Sequence, residues 1–157
     1  MTRRVHACPR MLSYKPPRIA ICLLLAAAAV QLAMPALWPS LRVSVTGGAI
    51  TAALGFGIML RAWWLFRQRE TAICPTAATS TLITDDVYRL TRNPMYLGIV
   101  LIVLGVALGT GGLSYYVAAL FFFLIIDFVF CPYEEQKLAQ AFSQEYPRYV
   151  NNVRRWL

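Results

Sequence analysis

Four long apolar runs set the terms for this chain: residues 19–37, 43–60, 96–108 and 113–130, interrupted by a single charge, Asp127. A water-soluble domain must clothe its exterior in polar side chains, and a chain that is 59% hydrophobic and 14% charged cannot do so. Lipid removes that requirement. A run of about 20 apolar residues at ~1.5 Å per residue spans a hydrocarbon core of ~30 Å. The expected fold is therefore all-α: an integral membrane bundle of about four transmembrane helices, with a cytoplasmic amphipathic C-terminal helix.

The net charge of +8 raises the question of nucleic acid, and its distribution answers it. The basic residues lie between the apolar runs, so lipid headgroups account for them and a nucleic-acid partner is not expected. Fourteen of the fifteen Lys and Arg fall on one side of the implied topology, and Arg42 alone falls on the other. That asymmetry predicts a multi-pass protein of the cell's cytoplasmic (inner) membrane with both termini cytoplasmic. A cleaved signal peptide is the competing reading of the first run, which is nevertheless longer than an ordinary signal core of about 7–15 residues. Cys8, Cys22, Cys74 and Cys131 are far apart and His6 is the one histidine, so no metal site is expected.

Three regions follow: a basic N-terminal segment at 1–18, where Pro9, Pro16 and Pro17 discourage a helix; two membrane helices within 19–66; and a region at 67–157 holding a loop, a hairpin and a tail. Gly47, Gly48, Thr51, Ala52, Gly55 and Gly57 recur at spacings of three and four, which predicts a second helix buried among its neighbours. The polar connection at 67–95 shows no helical period, and a loop of that length in a small protein is usually functional or disordered. Gly-Thr-Gly-Gly at 109–112 predicts a tight hairpin, and Cys131-Pro132 is expected to end the membrane section. In the tail, Leu138 and Phe142 share one face of an amphipathic helix.

Chemistry is expected where the loop, the start of the third run and the tail meet on one face. Pro94 suits the first turn of a helix, Asn93 can cap it, and the free N–H groups beyond attract an anion. Asp127 is an intramembrane acid, either functional or paired with Arg61 or Arg92. Glu134 and Glu135 either compensate a helix dipole or face a ligand. Gly98, Gly105 and Gly109 form a stripe that suits packing, although Gly98 can instead leave room for a flat ligand group.

The order TRNPMYLG (91–98), a glycine-containing span, a short hairpin, then Glu134-Glu135-x-x-Leu138-x-x-x-Phe142-x-x-x-Tyr146-x-x-Tyr149 resembles the isoprenylcysteine carboxyl methyltransferase family, with its phospholipid N-methyltransferase relatives. The resemblance covers residues 66–157. It implies S-adenosyl-L-methionine as methyl donor, held by Arg92, Asn93, Pro94, Tyr96, Leu97 and Gly98, with Glu134 or Glu135 on its nucleoside or amino-acid part. Asp127, Tyr96 and Arg92 are the candidates for a catalytic role. The family often carries Arg-His-Pro where this chain has Arg92-Asn93-Pro94, and an asparagine cannot titrate near neutral pH.

Methyl transfer from a sulfonium requires alignment and exclusion of water more than a strong acid or base, so the scarcity of histidine does not exclude it. The expected acceptor is lipophilic, either a small isoprenoid, lipid or thiol or a lipidated carboxylate, and membrane lipids are partners. The rival readings are a non-catalytic membrane subunit of the same fold and a sterol-reductase-like oxidoreductase using NADPH.

Overall fold

The structure, a computed structural model, describes residues 16–69 and 82–157. Arg3, Arg4, Arg10, Lys15, His6, Cys8, Cys74 and Pro75 lie outside the described residues. The named elements are all helical: α1 (Pro16–Ala33), α2 (Val45–Gln68), a 3₁₀ turn (Asp86–Arg89) and α3 (Pro94–Thr110) come first. They are followed by α4 (Leu113–Ile125), a π segment (Ile126–Phe130), α5 (Cys131–Ala141) and α6 (Tyr146–Asn152). Helix α1, helix α2 and the rod at Leu113–Ala141 are each long and apolar enough to cross a membrane. The fourth apolar helix, α3, is shorter at 17 residues. The chain is thus an all-α, multi-pass membrane bundle.

Local chemistry sets the helix ends. Pro16 and Pro17 do not exclude a helix; they occupy its first turn, where the missing N–H costs nothing, so α1 begins earlier than expected. It also ends earlier, at Ala33 rather than 37, because Pro35 disfavours helical backbone at Met34. Ser44 caps α2, its Oγ accepting from the Gly47 N–H at 3.2 Å. Gly111 closes α3 in the left-handed conformation (φ 70°), and its N–H donates to the Ala107 carbonyl at 2.8 Å. The turn after α1 docks here, with Leu41 N–H donating to the Gly111 carbonyl at 2.6 Å.

Cys131-Pro132 does not end the helix. The rod runs unbroken from 113 to 141, because the π segment widens the turn before the proline and Cys131 N–H reaches back to the Ile126 carbonyl. The wide turn removes the crowding that a proline ring imposes on a regular α-helix. It follows that Glu134 and Glu135 do not compensate a free helix N-terminus, since the peptides before them are already helical.

Helix α3 is the centre of the bundle, packed between α2 and α4, while α1 lies mainly on α4. At its glycines the α2–α3 contact brings backbone against backbone. A Cβ on Gly55 would come within 2.5 Å of the Gly98 carbonyl, and one on Gly98 within 2.6 Å of the Gly55 carbonyl. Gly48 and Gly105 close on one another in the same way one level away. Only this face of α2 is buried (Gly48, Gly55, Ala62 and Leu65), with Leu54, Phe56 and Leu60 exposed. The expectation that α2 lies buried among its neighbours is therefore corrected: it is a peripheral helix with one small-residue face. Phe122, Ile126 and Phe130 of the rod fill the core beside Ile99 and Val103 of α3.

Candidate functional site

At the end of the bundle where α1 and α3 begin and α2 ends, a cavity of about 440 Å³ is lined by parts of α1, α2, α3, α5 and the connection between α2 and α3. Its apolar wall includes Pro16 and Pro17 of α1, Met59 and Phe66 of α2, Met95 and Ile99 of α3, and Leu138 of α5. Its polar side chains are Tyr88, Arg92, Asn93, Tyr96 and Glu134. A volume of this size lies within the ~300–1,000 Å³ usual for small-molecule sites, and the mix of apolar walls with a few convergent polar groups is also typical.

Helical phase decides which predicted residues reach the cavity. Tyr96 and Ile99 are three apart on α3 and face it together. The intervening Leu97 and Gly98 are turned away; Gly98 is pressed on Gly55 and Met59 of α2. No space is left at Gly98 for a ligand group. On the rod the same rule separates two neighbours. Glu134 faces the cavity and accepts a 2.7 Å hydrogen bond from the Tyr96 hydroxyl, whereas Glu135 faces the tail. Pro94 lines the cavity from α3's first turn.

Asn93 occupies the N-cap position of α3 without capping it. Its Nδ2 donates instead to the Arg155 carbonyl at 3.4 Å, while its own N–H is taken by Thr91 Oγ1 at 3.2 Å. Arg92 contributes a cation whose Nε is buried without a partner, and its Nη1 lies 3.4 Å from Glu135 Oε1. The Tyr146 hydroxyl, also buried without a close partner, lies against this guanidinium.

Asp127 does not pair with Arg61 or Arg92. Arg155 Nη1 and Trp156 Nε1 both donate to its Oδ1, at 3.1 and 2.9 Å. Arg61 pairs with Asp86, which lies on the 3₁₀ turn. Asp127 therefore stands behind the cavity wall, and the 28 residues that separate it from Arg155 hid the pairing from any local reading.

Tyr88 leaves no periodic signal in the sequence, because a four-residue 3₁₀ turn carries it. Phe66 packs edge-on against it, with ring centroids 5.9 Å apart. The Tyr88 carbonyl accepts a buried 2.7 Å hydrogen bond from the Tyr149 hydroxyl, so α6 holds the turn in place. Burial raises the Tyr88 phenol well above the usual tyrosine range, and the nearby Glu134 charge raises it further. It stays protonated at neutral pH and can donate, not act as a base. Tyr149→Phe should cost about 1–2 kcal/mol by leaving that carbonyl unsatisfied. Thermal unfolding in detergent should show a midpoint lower by a few degrees, and an unchanged midpoint would remove α6 from the support of the site.

A family model described as phospholipid methyltransferase matches residues 43–145. The match takes in α2 as well as the loop, hairpin and α5, so it begins before the stretch that carried the resemblance, and residues 146–157 lie beyond it. No curated protein and no solved structure matches the chain.

Proposed function

The chain belongs to the phospholipid methyltransferase family, and from that premise we propose that it is an S-adenosyl-L-methionine-dependent methyltransferase of the membrane acting on a lipophilic acceptor. The observation that carries the reading is the composition of the cavity wall: one carboxylate, one arginine and two tyrosines set in an apolar enclosure. Those residues fit an adenosyl amino acid that bears a carboxylate at one end and a sulfonium near its centre. Arg92 is suited to the carboxylate through its guanidinium, which lines the cavity. Glu134 supplies negative charge for the sulfonium or amino group, and Tyr96, fixed by its bond to Glu134, presents an aromatic face.

Bound there, the donor provides a methyl group on a positively charged sulfur, and its transfer to a nucleophilic acceptor atom leaves a neutral thioether. The chain's part is to align the two molecules and exclude water; the wall of Met59, Phe66, Ile99 and Leu138 serves that end. Helix α1 packs mainly on α4 rather than on α2. The side between α1 and α2, lined by Pro16, Pro17, Met59 and Phe66, is the route we assign to an isoprenoid, acyl lipid or prenylcysteine-like acceptor arriving from the bilayer. The cytoplasmic placement of this end rests on the charge asymmetry of the sequence.

Isothermal titration of S-adenosylhomocysteine into the detergent-purified full chain tests the reading. Saturable binding is expected, weakened roughly three- to tenfold by Asn93→Ala, which removes one polar group from the wall. Folded protein that binds NADPH and not S-adenosylhomocysteine would be an oxidoreductase. Protein that binds neither would be a non-catalytic member of the fold.

A further inference from the structure

The last residues of the chain lie outside the family match, yet they are bonded to the stretch that brings Arg92 and Asn93 into the cavity wall. Arg92 N–H donates to the Arg154 carbonyl at 3.0 Å, and Thr91 Oγ1 donates to the Arg155 carbonyl at 2.8 Å. The Arg155 side chain then crosses to the rod. Its Nε and Nη2 form a two-point fork on Glu135, at 2.9 and 2.7 Å, and its Nη1 takes Asp127. Glu135 is thereby shared between two arginines, with its two short bonds going to Arg155 and only a 3.4 Å contact left for Arg92.

We propose that Arg155 is a positioning residue for the donor site: by occupying Glu135 with its fork, it keeps the Arg92 guanidinium available to the cavity. The inference rests on the proposed role of Arg92 in holding the donor's carboxylate. Two-point arginine–carboxylate pairs are among the strongest and most directional polar contacts in proteins. With Arg155 in place, Glu135 has no need of a second cation. Without it, Glu135 is a half-buried carboxylate beside one remaining arginine, and burial makes an unpaired charge costly. The Arg92 guanidinium then turns to Glu135 and is lost to the ligand. Asp127 and Trp156 belong to the same arrangement, since the 2.9 Å bond between them fixes the residue next to Arg155. The Trp156 ring is seated on Phe123, with centroids 5.1 Å apart.

This mechanism differs from simple structural support in one respect: a second substitution should repair it. Titration of S-adenosylhomocysteine into the full-length protein is expected to show affinity about tenfold weaker in Arg155→Ala. Affinity should return to within about threefold of the wild type in Arg155→Ala combined with Glu135→Gln, which removes the competing charge. Arg155→Lys retains the cation without the fork and should fall between. If Arg155→Ala does not fold, Arg155→Lys with and without Glu135→Gln gives the same comparison. Unchanged affinity in Arg155→Ala overturns the inference, and so does a loss that Glu135→Gln fails to repair, because that loss would be packing alone. Absence of binding to the wild-type protein sinks the proposed function itself, and the inference with it.

Discussion

Gly98→Leu should destabilise the protein by roughly 3 kcal/mol, the upper end of what overpacking costs, with a lower unfolding midpoint in detergent. The space it would need is backbone: a Cβ at Gly98 lies 2.6 Å from the Gly55 carbonyl and 2.8 Å from Met59 Cβ. Neither atom can swing aside as the end of a long side chain does. Helices α2 and α3 would have to separate, and α3 anchors Tyr96 and Pro94 in the cavity wall. Gly57→Leu is the matched comparison, because nothing lies within 4 Å of a Cβ there. Equal midpoints for the two variants would mean that close helix approach does not hold this pair together.

Glu134→Gln should separate two ligands that differ by one positive charge. Glutamine keeps an oxygen for the Tyr96 hydroxyl and nearly the same volume, so the wall is preserved while its negative charge is removed. A charge pair in a partly desolvated site is worth roughly 1–3 kcal/mol at an effective dielectric of about 20. S-adenosylmethionine, with its sulfonium, should lose roughly ten- to hundredfold in affinity, while neutral-sulfur S-adenosylhomocysteine loses far less. Competitive titration of the two into wild-type and variant protein measures the difference. Equal losses for both would show that Glu134 acts through Tyr96 alone and not on the sulfonium.

The features legible in the sequence were those written within a few residues of each other. The apolar runs set the bundle, and the stretch from Arg92 to Tyr96 was recognisable because a proline at a helix start fixes its neighbours. The glycines of α2 and α3 announced a close contact, but not that Gly98 belonged to it rather than to a ligand site. That choice depends on the register between two helices, which the sequence of either one leaves open. Pro132 misled for a related reason. A proline ends a regular helix locally, and only the wide turn before it, stabilised by Phe130 and Ile126 in the core, allows the rod to continue. Asp127 found Arg155 because the tail folds back across the rod, a return that no spacing rule encodes.

The π segment also sets the azimuth of everything beyond it. One additional residue in a helix rotates the following side chains by about 100° relative to an uninterrupted α-helix. The division of labour between the two adjacent acids, Glu134 toward the cavity and Glu135 toward Arg155, is therefore set upstream, at Ile126–Phe130. Without the wide turn, the same sequence would arrive one position out of phase: Tyr133 in the wall, and Glu134 opposite Arg155. The bulge works like the offset on a key blank, a local irregularity in the lipid-embedded shaft that determines which teeth meet the lock.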